Sequence, residues 1–206
     1  MTTTTEATPG TARGGRGARE RILNATVELF ARDGIHATGI AKLTAAAHVS
    51  TRTLYQHFPS KEALVGAYLE RLESAEDGPA HIETALLRQE LPPRERLIEL
   101  FASPQHDHRP GSVVRGCPFH NTVVEAAGAM PDAAAFVERH KRELAANLVD
   151  TATSAGAADP VALGHQLALL FEGARALATS LNDPRPFEDA RRLAEQLIED
   201  ALARTP

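Results

Sequence analysis

Residues 38–66 read TGIAKLTAAAHVSTRTLYQHFPSKEALVG, and the punctuation of that stretch decides the fold. Thr38 can cap a short helix whose inward face is Ile40, Leu43, Ala46 and Ala47. After His48 and Val49, Ser50 can cap a second one running through Leu54 to Phe58. Pro59 ends it, because proline disfavours helical backbone in the residue before it. Ser60 then caps a longer helix, with Glu62 in the dipole-favoured first turn and Leu64, Ala67, Tyr68 and Leu72 along one face. Upstream, Ile22, Ala25, Leu29 and Phe30 recur at helical spacing from Ala18, and the pattern stops at Asp33-Gly34, where glycine can turn left-handed. Two short helices joined by a tight turn and preceded by a third make a helix-turn-helix, whose second helix can enter a DNA major groove. Its outward residues, Thr51, Arg52, Thr53, Tyr55, Gln56 and His57, are nearly all hydrogen-bonding types. The competing reading is a solvated polar face.

Charge supports the same division. Up to Lys61 there are eight Lys and Arg against four Asp and Glu, a balance of +4, while the whole chain carries −5, which leaves −9 for the remainder. A basic head on an acidic body points to nucleic acid at the head only, and from charge alone a basic disordered tail with no partner fits equally well. With 43% hydrophobic and 24% charged residues the chain can bury a core. Aromatics are 4% and Trp is absent, which suits close helix packing and excludes an all-β fold. The single cysteine, Cys117, excludes an internal disulfide framework and a zinc knuckle. Met1–Gly17 has no apolar leader-like run and no long apolar stretch follows, so a cytoplasmic protein with no membrane partner is expected.

Beyond Gly78-Pro79 every segment reads as helix: 82–91, 93–103, 117–129, 132–155, 160–181 and 187–203. Pro93 and Pro160 suit first turns, and Asp159 is a good cap. The loop 103–115 is long enough to be functional or mobile. The expected fold class is all-α: a flexible basic N-terminal arm (1–17), a three-helix helix-turn-helix head (18–62), and a helical ligand-binding and dimerisation bundle (63–206).

The stretches Arg21-Ile22-Leu23-Asn24-Ala25 through Leu29-Phe30, Gly34, Thr38, Val49 to Phe58 and Ser60-Lys61-Glu62-Ala63-Leu64 resemble the DNA-binding head of the tetracycline-repressor (TetR) family of bacterial regulators. The resemblance covers about residues 19–66. It implies a homodimer with two heads on adjacent major grooves of operator DNA, and a body that binds a small-molecule effector and loosens that grip. Carried over by position, it puts Thr51, Arg52 and Thr53 against base edges and Tyr55 and His57 near the backbone, with Gln56 on the same face. Lys61 and Thr38 would hold phosphates. The family usually has glycine where His48 stands and alanine where Thr44 stands. Histidine tolerates a left-handed backbone better than most residues, so the same turn is expected. Arg13, Arg16 and Arg19 precede the first helix; they are a solvated tail without DNA or an arm that reaches the minor groove with it.

In the body, the resemblance makes the last two helices a four-helix dimer interface. Gly164, Ala168, Gly173, Ala174, Ala178, Ala190, Ala194 and Ala201 permit close approach, and Leu167, Leu170, Phe171, Leu177, Phe187, Leu193, Leu197 and Ile198 supply apolar area. The alternative is an ordinary core within one chain. The effector pocket would be walled by Phe101, Cys117, Phe119, Val123, Val124, Met130, Phe136, His140 and Phe171, with Arg175 or His165 as polar anchors, which suits a hydrophobic or amphipathic effector. Cys117 and His120, with His106 and His108 upstream, match metal-ligand spacing weakly. No metal or cofactor is expected, nor an enzyme, since no oxyanion hole or orienting carboxylate accompanies the Cys–His pair. Cys117 near a helix N-terminus could instead sense oxidation. Three functions therefore stay open: an effector-released repressor, a redox- or metal-responsive regulator acting through Cys117, and a helical small-molecule-binding protein whose basic head contacts protein.

Overall fold

The computed structural model describes residues 15–74, 81–106, 116–126 and 128–203, and all of its elements are helical. The chain divides into two compact units at Leu64/Val65.

The first unit holds α1 (Gly15–Asp33), α2 (Ile40–Ala46), α3 (Thr51–His57) and the start of α4 (Lys61–Ser74). Its turns are set by backbone geometry. Gly34 ends α1 with φ +87° and its N–H on Phe30 O. Ser50 caps α3, its Oγ accepting from Thr53 N at 3.0 Å, and Phe58, extended ahead of Pro59, stops it. Ser60 Oγ caps α4 through Ala63 N at 3.0 Å. His48 sits between α2 and α3 at φ +51°, the left-handed position where the family usually has glycine. Thr38 departs from expectation. The cap of α2 is Gly39, without a side-chain hydrogen bond, because the Thr38 hydroxyl donates to Gly34 O at 2.7 Å. On α2, Thr44 rather than Ala46 turns inward, since its hydroxyl is satisfied locally by Ala41 O. Ile22, Leu29, Phe30, Ile35, Leu43, Ala47, Leu54 and Phe58 make the core. Arg19 belongs to α1 and lays its guanidinium over the Phe58 ring at 5.3 Å instead of joining an arm. The expected arm, 1–17, otherwise lies outside the described residues, as do Arg13 and the side chain of Arg16, although the helix reaches back to Gly15.

The second unit continues α4 from Val65 and adds a 3-10 helix (His81–Leu87), α5 (Pro93–His106), α6 (Pro118–Ala126), α7 (Pro131–Ala155), α8 (Pro160–Leu181) and α9 (Arg185–Ala203). The helix expected over 82–91 is this shorter 3-10 element, and α5 extends three residues past Ser103. The Gly78-Pro79 stop and residues 107–115 lie outside the described residues. Asp159 Oδ1 caps α8 through Ala162 N at 3.0 Å, and left-handed Gly156 and Asn182 end α7 and α8. Leu97, Leu100 and Phe101 of α5, Leu144 and Leu148 of α7, Leu163, Leu167 and Phe171 of α8, and Ala194 and Ile198 of α9 interlock in one core. No helix among the described residues is long and apolar enough to cross a membrane.

The α7–α8 contact is close enough to need glycine at 164: a Cβ there would stand 2.6 Å from Val149 Cγ2 and 2.8 Å from Val149 N. Gly164→Ala should therefore lower stability by about 1–3 kcal/mol. Adding Val149→Ala should recover only part of it, because the backbone nitrogen stays in place. Chemical denaturation checks both, and an unchanged midpoint would mean the helices part freely.

In the first unit, Asp33 at the end of α1 bonds Arg32 Nε and Nη2 and pairs with Lys42 Nζ of α2 at 3.0 Å. Arg32 first, then Lys42, hold its carboxyl down at about 2 from an ordinary 3.8. Because the folded value is the lower one, its stabilising effect is complete above 3.8 and fades as pH falls towards 2. Asp33→Asn should lose that acid-limb dependence, and salt should weaken it in the wild type, since its partners Arg32 and Lys42 are exposed. Parallel pH profiles of unfolding for the two proteins would show that the pairing contributes nothing.

Candidate functional site

Leu54 and Phe58, one turn apart, are the buried residues that seat α3. The opposite face is left to Thr51, Arg52, Tyr55 and Gln56, all exposed. Thr53 is half-buried: its N–H bonds Ser50 Oγ, and the two hydroxyls lie 2.8 Å apart, so it belongs as much to the cap as to the outer face. His57 is also half-buried. Lys61, in the first turn of α4, donates from Nζ to Ile35 O at 2.6 Å, which fixes the ammonium beside the turn that ends α1. Thr38 does not fit a phosphate-holding role, because it is fully buried and its hydroxyl is committed to Gly34 O. Arg21, which the sequence did not single out, ties α1 to the interhelix turn by donating from Nε to Ala47 O at 3.1 Å.

This arrangement presents an arginine fork, an amide, a hydroxyl and a phenol on one small rigid surface. Arginine and glutamine are the side chains suited to bidentate hydrogen bonds with guanine and adenine edges.

In the body, the expected pocket residues are divided, among the described residues, between the core and two cavities. Phe101 and Phe171 meet edge to face at 5.8 Å within the core. Phe119 stacks on His140 at 4.0 Å and lies parallel to half-buried Phe136, which Arg139 covers. Val123 and Val124 face outward, and Met130 immediately precedes α7. A cavity of about 310 Å³ is lined by Cys117, Val124, Arg175, His120, Asn121 and Thr179, and a more open one of about 790 Å³ by Val123, Val137, Lys141, Leu144, His165 and Leu169. Phe101, Phe119, Met130, Phe136, His140 and Phe171 line neither, because the aromatic residues among them are occupied with one another and with the core. Among the described residues no group of three or more His, Cys, Asp or Glu could hold a metal; the His106 side chain and His108 lie outside them.

Instead, the interior holds a charged cluster. Arg175 donates from Nη1 to Glu83 Oε1 at 2.9 Å and lies over the Phe171 ring. Lys141 bonds Glu172 at 2.7 Å. His140 places Nδ1 3.3 Å from Glu73 Oε1 and Nε2 3.1 Å from Glu83 Oε2, the latter without the alignment of a hydrogen bond. Burial works to raise the Glu83 carboxyl, but His140, Arg175 and Lys141 together hold it below the usual range. The sequence reading proposed only His140 and Arg175 of this group. Their acidic partners come from other elements, Glu73 and Glu83 lying 67 and 92 residues from the groups they bond.

The α8–α9 surface carries an apolar groove of about 850 Å³ along Leu169, Leu170, Gly173, Leu177, Leu193 and Leu197. Of the expected interface set, Leu167, Phe171, Ala174, Ala178, Ala194 and Ile198 are buried in the chain's own core, and Leu170, Leu197 and the edge of Ala174 line the groove. The exposed leucines are Leu169 (77%), Leu177 (56%), Leu181 (63%) and Leu193 (50%).

Comparison with known proteins agrees with the head's geometry. A family model described as bacterial regulatory proteins, tetR family, matches residues 22–68. The HTH-type transcriptional regulator UidR of Escherichia coli (strain K12) is 43% identical over 51 residues, 25% of this chain and 26% of that protein, so the match spans about a quarter of that relative. Over nearly the whole chain, the structure resembles a TetR-type transcriptional regulator from Streptomyces avermitilis, 32% identical, covering 89% of this chain and 97% of that one, TM-score 0.74. It also resembles a TetR-family transcriptional regulator from Streptomyces coelicolor, 29% identical, covering 90% and 96%, TM-score 0.78.

Proposed function

The chain belongs to the TetR family of bacterial regulatory proteins, and from that premise we propose that it is a dimeric, sequence-specific transcriptional repressor released from its operator by a small amphipathic effector. It is a regulator rather than an enzyme. The observation that carries the DNA-reading role is the outer face of α3, where Thr51, Arg52, Tyr55 and Gln56 stand exposed while the helix's apolar side chains turn inward. A helix that docked on protein would carry apolar anchors there. Arg52 and Gln56 read base edges with Thr51 and Thr53, Tyr55 and His57 lie along the backbone, and Lys61 meets a phosphate next to the α4 N-terminus, where unsatisfied N–H groups already favour an anion.

The effector enters the open side of the body, with an apolar part among Val123, Val137 and Leu144 and a polar part towards Lys141, Glu172 and Arg175. α4 runs unbroken through the boundary between the two units, so a change at its body end is carried along the same helix that begins at Lys61. For release, the effector must favour the DNA-free state, typically by 1–3 kcal/mol of coupling.

Selection of bound sequences from random DNA tests the whole reading. A two-fold symmetric site with half-sites about 34–36 Å apart is expected, and failure to enrich any sequence would reject it. Within that site, Arg52→Ala should cost about 1–3 kcal/mol and relax discrimination at one position, while Lys61→Ala should weaken all sequences alike and reduce the salt slope by about one. Equal discrimination by the wild type and Arg52→Ala would remove arginine from base reading.

For the dimer, a charge placed on the exposed groove, as in Leu177→Glu or Leu193→Glu, should give monomers of unchanged helical content that bind operator poorly. Light scattering that found intact dimers for both would relocate the interface.

A further inference from the structure

Two nucleophilic side chains meet in the body, in a different unit from the α3 face. Cys117 stands one residue before α6 with its thiol buried, and Lys141 of α7 brings Nζ to 3.5 Å from its Sγ. Small molecules can approach from either side: Cys117 borders the cavity of about 310 Å³, Lys141 the opening of about 790 Å³, and His120 and Glu172 line both. The lysine is held in place by its 2.7 Å bond to Glu172 Oε1. A second cation lies within electrostatic reach. Burial works to lower the Arg175 guanidinium, yet charge on Cys117, then on Glu83 and Glu172, holds it above its ordinary value. A thiolate at Cys117 lies directly against the Lys141 ammonium.

We propose that Cys117 and Lys141 form an oxidative cross-link, a sulfur–nitrogen bond between Sγ and Nζ that a hydroperoxide drives and a thiol reductant reverses. In the first step the thiolate attacks one peroxide oxygen. The O–O bond breaks, the departing hydroxide leaves as water with the proton the thiol gave up, and the sulfur is oxidised by two electrons to a sulfenic acid. In the second step Lys141 passes one proton to Glu172, and the nitrogen lone pair attacks Sγ. The S–O bond breaks, and the departing hydroxide takes one of the two protons still on nitrogen and leaves as water, so the S–N bond keeps a single N–H. Thiol, amine and hydrogen peroxide thus yield one S–N bond and two waters. Sulfenic acids condense with a nearby nitrogen in this way when one is in reach, and the 3.5 Å contact puts Nζ ahead of any second oxidant molecule. The bond also removes the Lys141 charge from beside Glu83 and Glu172.

The experiment exposes the full-length protein to hydrogen peroxide for increasing times, alkylates and digests it without reductant, and follows the peptides by mass spectrometry. The peptides holding Cys117 and Lys141 should appear joined, about 2 Da below their summed mass for the two hydrogens lost, and should separate with dithiothreitol. Cys117→Ser should abolish the joined species. Lys141→Arg keeps the cation and should divert the product to Cys117 carrying added oxygen. A wild type that gains only oxygen at Cys117, or stays unmodified, overturns the proposal. The readout is a mass, so it stands or fails separately from operator recognition.

Discussion

Seven residues are too few for a helix to persist alone in water, so α3 depends on the packing of Leu54 and Phe58. Several contacts in the first unit support that packing. Ile22 and Leu43 are fully buried in the same core. Arg19 covers the Phe58 ring, and Arg21 holds the preceding turn by its carbonyl at Ala47. The turn itself requires a left-handed residue, and His48 takes that conformation at a cost of about 1–2 kcal/mol that glycine would avoid. With the inner face bearing the stability, the outer residues Thr51, Arg52, Tyr55 and Gln56 are left exposed.

The body solves a different problem. Its core is largely Leu and Ala, and such a core fixes volume better than it fixes which residues face each other. The cluster of Glu73, Glu83, His140, Lys141, Glu172 and Arg175 draws α4, the 3-10 helix, α7 and α8 into one set of pairings. Removing one partner of a buried pair is costly, typically 3–5 kcal/mol, because the other charge stays behind. The cluster thus penalises any other facing of these elements more strongly than it adds net stability. Tyr68 shows how dry the region is: burial, then the charges of Cys117 and Glu125, push its hydroxyl above the ordinary range.

Local signals were legible in the sequence. Gly34, Ser50, Pro59, Ser60 and Asp159 each end or begin a helix through chemistry carried by that residue and its near neighbours. Thr38 was misread because the sequence shows that a hydroxyl can cap but not that a carbonyl four residues back competes for it. The face of α2 was misread for the same reason: Thr44 looks polar until its hydroxyl is satisfied inside its own helix. The charged cluster was mostly invisible, since no periodicity links Glu83 to an arginine 92 residues away.

The α8–α9 surface shows where helical periodicity stops short of an answer. Leu163, Leu167, Phe171, Ala174 and Ala178 advance by three or four residues and form one stripe; Leu169, Gly173, Leu177 and Leu181 advance by four and form another beside it. Both stripes are apolar and contain small residues, so composition alone cannot say which faces α5 and α7. The fold assigns the first to the chain's own core, which leaves the second exposed. Burying a leucine completely is worth about 1.5–3 kcal/mol, and four exposed leucines on two adjoining helices form a patch of the kind that marks an interaction surface. The inner stripe is therefore a folding determinant and, in the dimer proposed above, the outer one is an association determinant, so a charge placed on each would act on a different equilibrium.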